Sequence, residues 1–245
     1  MTATELEFTS EVEVSLVDHS GSDLSIAKAA WVSTQDPTNS PEAMHTDQEL
    51  SDKMGGLLGF LLKNRHGTPF EHNSMTFRVS APLFVWREHQ RHRVGFSYNE
   101  ESGRYKKLDP KFYIPSEDRA LVQKGKPGHY EYVAGTESQY DFVVNSVKSS
   151  VKEAYWRYEA MLGIGVAREV ARIALPLNIF STCYVTCNAR SLMSFLALRT
   201  KSENSHFPSY PQREIEMVAE KYEEIFAELF PITYSKFDEF GRVSP

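Results

Sequence analysis

Residues 74–93 read SMTFRVSAPLFVWREHQRHR and join two different periodicities. The first part alternates polar and apolar side chains, which predicts a half-buried strand over 74–81. Pro82 then favours the start of a helix, because proline fits the first helical turn, and PLFVWREHQRH predicts that helix. Side chains four residues apart share a helix face, so we expect Arg87 and Arg91 to point the same way.

The same two periods recur on both sides of this segment. Alternation predicts a strand in EVEVSLV at 11–17, and NIFSTCYVTC at 178–187 indicates another. The segments 34–46 and 95–135 are expected to be loops, the second with short extended pieces. A chain of 245 residues is long enough for one large domain, which we expect over residues 1–245. Helices are predicted at 23–31, about 47–64, 136–162, 166–175, 189–200 and about 212–229.

A basic cluster lies between residues 87 and 107, although the whole chain carries a formal net charge of −6. The negative total predicts no general attraction to nucleic acid or to an anionic membrane, so we expect neither as a partner. An anion would have to be captured by local positive side chains. The cluster contains six basic and three acidic side chains: Arg87, Arg91, Arg93, Arg104, Lys106 and Lys107 with Glu88, Glu100 and Glu101.

The N-terminal segment MTATELEFTSEVEV is acidic and has no long apolar run, and no later segment reads as a membrane span. We therefore expect a cytoplasmic protein. In a reducing compartment the two cysteines, Cys183 and Cys187, are not expected to form a structural disulfide. Their spacing puts both on one face of a strand, which favours buried small side chains over metal ligands. A nucleophilic cysteine stays open.

Other catalytic patterns find little support in the sequence. The eight histidines form no compact ligand motif, so no metal is expected. His92 lies between two arginines, and repulsion from like charge favours a neutral ring. Neither Ser97 nor Ser102 lies in the Gly-x-Ser-x-Gly elbow of a hydrolase.

The arginine cluster itself has three interpretations: a solvated charged face, a nucleic-acid patch, or a site for a small phosphorylated ligand. The neighbouring glutamates and the negative total charge count against nucleic acid. Arginine binds phosphate through two parallel hydrogen bonds, and Arg172, Arg190 and Arg199 recur downstream at intervals unlike a surface stripe. These residues favour a small phosphorylated ligand.

With these residues assembled, the chain resembles the flavin-dependent thymidylate synthases over roughly residues 22 to 220. The family signature is Arg-His-Arg followed, after seven residues, by Ser. Here RHR at 91–93 is followed by the eight residues VGFSYNEE before Ser102, and we expect the extra residue to be absorbed around 94–96. Four flanking segments also match: TPFEH (68–72), SGRY (102–105), REVARIALPLN (168–178) and NARSLMSFLALR (188–199).

The resemblance implies an α+β fold, an antiparallel sheet flanked by helices, which agrees with the segregated strands and helices read above. It implies reductive methylation of dUMP to dTMP, with methylenetetrahydrofolate as carbon donor, FAD as hydride carrier and NADPH as reductant. It also implies a homotetramer in which residues of several subunits hold each flavin. A phosphate-binding regulatory module without chemistry and an RNA-binding domain stay as alternatives, and flavin absorption or a steep salt dependence would distinguish them.

The resemblance also assigns residues. Arg199 would be catalytic and hold the uracil ring in a polarised or ionised form, since a guanidinium stabilises negative charge that develops on the ring. No side chain would attack the pyrimidine, so Cys183 and Cys187 would be bystanders. FAD would contact Thr68, Arg91, His92, Arg93, Glu100, Asn188, Ala189, Arg190, Ser194, which stands where relatives commonly have Asn, and His206, which follows a TKSEN insertion. dUMP would contact Glu88, His89, Gln90, Arg91, Glu100, Glu101, Ser102 through its phosphate, Gly103, Arg104, Arg172 and Arg199.

Overall fold

The computed structural model of the chain describes residues 4–33, 46–126 and 129–245. The loop predicted at 34–46 lies outside the described residues except for Thr46. The described residues form two compact units. The first comprises the described residues within 1–11, 81–84 and 101–181, and the second those within 12–80, 85–100 and 182–245. The expectation of a single domain stays a prediction.

Eight strands and eight helices are described within these ranges. The strands are β1 Glu7–Thr9, β2 Glu13–Ser20, β3 Ser74–Pro82, β4 Phe96–Glu100, β5 Lys111–Tyr113, β6 Val122–Lys126, β7 His129–Val133 and β8 Phe180–Cys187. The helices are α1 Asp23–Trp31, α2 Asp47–Lys63, α3 Leu83–His89, α4 Glu137–Gly163, α5 Arg168–Ala171, α6 Ala189–Arg199, α7 Arg213–Leu229 and α8 Pro231–Glu239. Short 3-10 turns occur at Thr68–Glu71 and Arg172–Ala174.

A four-stranded sheet in the order β2-β3-β8-β4 forms the centre of the second unit. β2 pairs antiparallel with β3, and β4 pairs antiparallel with β8 from Phe96 opposite Cys187 to Glu100 opposite Cys183. The strand predicted at 74–81 is confirmed. The strands predicted at 11–17 and 178–187 are present but each begins two residues later, and β2 also ends later, at Ser20. β4 falls in the segment predicted as loop with short extended pieces, and it is one such piece of five residues.

Helices cover this sheet, so the α+β class with an antiparallel sheet and flanking helices is confirmed. α7 buries Ile215, Val218, Tyr222 and Phe226 on one face, the three- and four-residue spacing of an amphipathic helix. α8 was not predicted, although Pro231 occupies its first turn as proline commonly does. Among the helices of the described segments, none has the length and apolar character that crossing a bilayer requires.

The first unit is built around the long helix α4. A reciprocal capping box between Thr136 and Gln139 starts this helix. Its buried Tyr155 donates to the carbonyl of Leu108 at 3.0 Å, and the hydroxyl of Tyr158 accepts from the amide of Leu108 at 3.2 Å. Two aromatic side chains therefore fix the loop that follows β4 to the face of α4.

The helix predicted at 166–175 is shorter and split. α5 spans Arg168–Ala171, a 3-10 turn follows, and Leu175 is extended with φ −77° and ψ 135°. The cause is Pro176, whose ring disfavours helical backbone at the preceding residue.

Candidate functional site

A buried histidine ends α3 and fixes the turn that follows it. His89 is fully buried, with Nδ1 3.2 Å from the hydroxyl of Tyr98 and Nε2 3.0 Å from that of Tyr222. The Tyr98 hydroxyl also donates to the carbonyl of His92 at 2.7 Å. Because this contact turns the chain after His89, Arg91 lies outside the helix. The prediction that Arg87 and Arg91 share a helix face was therefore wrong.

This arrangement changes the role expected for His89. Both ring nitrogens are engaged and the side chain is not exposed, so the ring supports the turn. The contact of His89 with the nucleotide stays a prediction. Burial lowers the pKa of His89 to about 3, with smaller contributions from His92 and Arg199. The ring is neutral at physiological pH, which suits one nitrogen that donates and one that accepts.

The stability of the fold should depend on pH through this ring. In the unfolded chain histidine binds a proton near pH 6.5, whereas folded His89 has its pKa lowered to about 3. The unfolded state therefore binds more protons between these values, so the stabilisation is complete above pH 6.5 and is lost as pH falls. We expect the free energy of unfolding to decrease by up to about 1.4 kcal/mol per pH unit below about pH 6.5 from this group.

Urea unfolding at a series of pH values measures this slope. His89→Gln, which can still form hydrogen bonds but does not titrate, should reduce the slope. The exposed His19 provides the control, and His19→Gln should leave the slope as it is. An equal slope in all three proteins would contradict the assignment.

Arg199, at the C-terminal end of α6, joins His92 and Glu88. Its Nε donates to Nε2 of His92 at 3.0 Å, its Nη1 to the Glu88 carboxylate at 2.5 Å and its Nη2 to the Glu88 carbonyl at 3.2 Å. Burial and then Arg199 lower the pKa of His92 to about 4, against an opposing effect of Glu88. The neutral ring predicted for His92 is supported, but its main causes are burial and Arg199 and not the adjacent arginines.

A cavity of about 570 Å³ lies beside the Arg-His-Arg turn in the second unit. Residues to which the sequence assigned no role also line it, among them Gly95, Ser191 and Ser244. Six residues predicted to contact a flavin line this cavity: Arg91, His92, Arg93, Asn188, Arg190 and Ser194. We refer to it as the arginine pocket.

The N-terminus of α6 opens into the arginine pocket. Asn188 caps the helix by accepting from the amide of Ser191 at 2.9 Å, and Asn73 accepts from the amide of Ala189 at 2.8 Å. Ala189 is buried and its amide is already bonded, so it shapes the helix start and does not present a side chain to a ligand. The helix dipole adds partial positive charge at this end, which favours a bound anion.

Two of the pocket arginines are available to a ligand. The exposed side chains of Arg91 and Arg93 form no ion pair with any described residue. Arg190 differs, because its guanidinium pairs with Glu71 and donates through Nε to the carbonyl oxygen of Pro245 at 2.7 Å. The arrangement can bind a di-anionic group through unpaired guanidinium groups and a helix N-terminus.

Some predicted flavin contacts lie outside the arginine pocket. Thr68 is exposed in the 3-10 turn Thr68–Glu71. Glu100 ends β4, where Gln90 reaches its carboxylate at 3.5 Å. His206 donates its amide to Gly241 at 2.9 Å and lines a separate cavity. The structure therefore does not bring His206 to the pocket.

The remaining predicted nucleotide contacts form a second cluster, in the first unit. The amide of Arg104 donates to Ser102 Oγ at 3.2 Å, and its side chain pairs with Glu169 at 2.9 Å. Gly103 is buried, and a β-carbon there would lie 3.2 Å from Cδ of Arg172. The turn thus packs directly on the stem of Arg172. This cluster comprises Glu101, Ser102, Gly103, Arg104 and Arg172.

Gly95 lies in the turn where the extra residue of the signature was expected. It adopts φ +70° in a turn after Val94, a backbone conformation that glycine favours. β4 then pairs with β8 in unbroken register from Phe96 onward, so no bulge interrupts the strand. A β-carbon at Gly95 would collide with the hydroxyl of Ser191. Only glycine lets this turn lie against the start of α6.

The two cysteines are free and buried, as predicted. Burial raises the pKa of the Cys183 thiol to about 11 and also raises that of Cys187. A nucleophile reacts as the thiolate, so neither is suited to attack a substrate. Within the described segments, no group of three or more His, Cys, Asp or Glu side chains could hold a metal ion.

Replacement of both cysteines with alanine should therefore preserve activity. We expect the turnover number of Cys183→Ala/Cys187→Ala to stay within about twofold of the parent, because neither thiol takes part in chemistry. The lost packing should cost about 1 to 2 kcal/mol of stability. Thermal unfolding and a steady-state assay on the same preparation measure both effects. Loss of turnover in a folded, flavin-loaded double variant would contradict this prediction.

Comparison with known proteins agrees with this geometry. Residues 15–232 match the family described as thymidylate synthase complementing protein. The flavin-dependent thymidylate synthase of Streptomyces avermitilis is 54% identical over 97% of this chain and 95% of its own length. That of Tropheryma whipplei is 52% identical over 97% of this chain and 97% of its own length.

A solved structure gives the same result. The UMP/dUMP methylase PolB of Streptomyces cacaoi, bound with 5-Br dUMP, matches with a TM-score of 0.90 and 47% sequence identity. The match covers 98% of this chain and 100% of that one. The predicted class, a flavin-dependent methyltransferase, is confirmed. The chain belongs to the family of flavin-dependent thymidylate synthases.

Proposed function

We propose that this chain converts dUMP to dTMP by reductive methylation, with methylenetetrahydrofolate as carbon donor, FAD as hydride carrier and NADPH as reductant. One observation carries the proposal: in the arginine pocket, two arginines that form no ion pair with a described residue face the N-terminus of α6 beside the Arg199–His92 pair. The names of the relatives support a flavin, and the bound 5-Br dUMP of the methylase supports a pyrimidine nucleotide.

The residues present fit FAD. Its pyrophosphate needs fixed donors, and Arg91, Arg93 and the α6 N-terminus supply positive charge in one cavity. Gly95 keeps the wall of that cavity free of a side chain. Asn188 and Ser194 would add neutral hydrogen bonds from the capping residue and the second turn of α6. Bound FAD would supply hydride transfer to the substrate.

Arg199 would bind the uracil ring and stabilise its negative charge. Its guanidinium has five N–H donors, and the contacts with His92 and Glu88 hold it in one orientation. The Glu88 carboxylate offsets part of the positive charge of Arg199. The His92 ring is neutral, so it does not repel the guanidinium. A charge that is already fixed toward the developing anion stabilises it, because the site does not have to reorganise during the reaction.

The cluster of Ser102, Arg104 and Arg172 would bind the phosphate of dUMP. Arg172 is exposed and forms no ion pair with a residue that the structure describes, whereas Arg104 is shared with Glu169. A phosphate carries enough charge to compete for a half-exposed guanidinium, since exposed ion pairs contribute little. That this cluster and Arg199 serve the same nucleotide stays a prediction.

We also propose a homotetramer. The first unit exposes several large apolar side chains, and clustered exposed apolar groups commonly mark interfaces between proteins. The exposed apolar side chains include Phe142, Trp156, Ile164, Val170 and Ile173. Sedimentation equilibrium would give the mass of the assembly.

The cytoplasmic location and the absence of nucleic-acid or membrane partners stay predictions from the sequence.

The test is anaerobic reduction of the purified, flavin-loaded protein by NADPH, with and without dUMP, followed by an assay for dTMP after the folate is added. We expect a flavin absorption band that bleaches on reduction and dTMP only when all three compounds are present. A regulatory module would bind dUMP but would lack the absorption band. Bleaching without dTMP would refute the methylation.

A further inference from the structure

The last residues of the chain contact both ends of the helix that carries the proposed site. α6 bears Arg190 in its first turn and Arg199 in its last. Arg242 contacts the residue after Arg199, and Ser244 and Pro245 contact Arg190. We refer to residues 242–245 as the C-terminal strap.

The chain reverses direction after α8, and this turn brings the strap into contact with α6. Gly241 and Arg242 adopt φ +78° and +56°, and the amide of Arg242 donates to the carbonyl of Phe237 at 2.8 Å. Such paired left-handed residues end helices and redirect the chain. A β-carbon at Gly241 would lie 2.9 Å from Cβ of His206, so glycine permits the close approach. The left-handed conformation of Arg242 is unfavourable for a residue with a side chain and must be offset by its contacts.

Those contacts join three helices. Arg242 is only 4% exposed, and its Nη1 pairs with Glu223 of α7 at 2.6 Å and with Asp238 of α8 at 3.0 Å. Its Nη2 donates to the hydroxyl of Thr200 at 2.8 Å. Thr200 in turn donates to the carbonyl of Leu196 at 2.8 Å, inside the last turn of α6. A single guanidinium therefore fixes the backbone that precedes and follows Arg199.

The opposite end of α6 is held by the rest of the strap. The Ser244 hydroxyl donates to the backbone carbonyl of Arg190 at 3.0 Å, and the Arg190 side chain donates to the carbonyl oxygen of Pro245. Both contacts lie at the wall of the arginine pocket. They constrain the backbone and the side chain of the same arginine.

We infer that Arg242 and Ser244 are positioning residues that clamp the two ends of α6, and so set the orientation of Arg199 toward the nucleotide and of Arg190 toward the flavin. The inference rests on the proposed function for the roles of those two arginines. If these contacts only stabilised the fold, their loss would not act separately on the two ends of α6. The clamp predicts that its ends can be loosened separately.

Single hydroxyl groups provide the test, because removing Arg242 itself would leave the partly buried carboxylates of Glu223 and Asp238 without their partner. Thr200→Val removes the acceptor for Arg242 with little change in volume, and Thr200→Ser restores it. Ser244→Ala releases the other end. Ser205→Ala is the matched control, because the buried Ser205 hydroxyl has no hydrogen-bond partner among the described residues.

Hydrogen exchange of α6 amides in the full-length protein is the first measurement. We expect Thr200→Val to speed exchange in the last turn, and Ser244→Ala in the first turn, each by about three- to tenfold, the effect of one hydrogen bond. Thr200→Val should lower kcat by a similar factor with flavin affinity unchanged. Ser244→Ala should weaken flavin binding by that factor.

Each outcome decides the question. Unchanged α6 exchange in both variants, or equal acceleration throughout the second unit, would overturn the clamp. Failure of Thr200→Ser to restore the parent rates would also overturn it. If the ends of α6 loosen as expected but the parent protein makes no dTMP, the clamp stands and the proposed function is refuted.

Discussion

Alanine at Arg199 is expected to lower kcat by about a hundred- to a thousandfold, the usual effect of removing a donor that stabilises transition-state charge. The flavin should stay bound, because Arg199 lies at the far end of α6 from Arg190 and does not line the arginine pocket. Steady-state formation of dTMP gives kcat, and the flavin absorption of the gel-filtered protein gives occupancy. Since Arg199 lowers the pKa of His92, its loss should also raise that pKa.

Two further variants separate charge from geometry. Arg199→Lys keeps the charge but loses the planar fork that reaches His92 and Glu88 together, so we expect turnover between those of alanine and the parent. Arg213→Ala removes a half-exposed arginine that pairs with Glu216 and Glu220. It should leave kcat unchanged. A parent-like kcat in Arg199→Ala would refute the assigned role.

A helix or strand could be predicted where its own apolar side chains recur at a regular spacing. α7 and β3 have apolar side chains at regular spacing, because each lays one face on the core, and both were located from the sequence. β4 was not, since its five residues are held mainly by pairing with β8. α8 follows α7 after a single residue, Phe230, and no apolar period marks where one helix ends and the next begins.

The candidate site, too, could be predicted only in part. The arginines at 91 and 93 could be assigned from the motif, because a short stretch of sequence contains them and their chemistry is specific to anions. The contacts that hold the turn after α3 and the end of α6 could not. Tyr98 and Tyr222 meet His89 only when strand, helix and turn pack together, and no local pattern marks them. The contact of Arg242 with Thr200 joins residues far apart in sequence.

Alanine at Gly95 is expected to weaken flavin binding by about ten- to a hundredfold, the effect of overpacking a tight contact. The new β-carbon would meet the Ser191 hydroxyl in the first turn of α6, and the turn already has φ +70°. Because the strand after it is fixed by pairing with β8, the turn must move away from α6. That movement would displace Arg93 and Val94 from the wall of the arginine pocket. Titration of the apoprotein with FAD, followed by fluorescence, measures the affinity.

Gly165→Ala is the matched control for this experiment. Gly165 has φ +88°, so alanine there carries the same backbone cost of about 1 kcal/mol, but a β-carbon would meet no atom within 4 Å. It should lower stability and leave flavin affinity unchanged. Adding Ser191→Ala to Gly95→Ala removes the colliding oxygen and should recover part of the affinity. If Gly95→Ala and Gly165→Ala weaken flavin binding equally, the loss comes from general destabilisation, and the close contact between the turn and α6 does not shape the pocket.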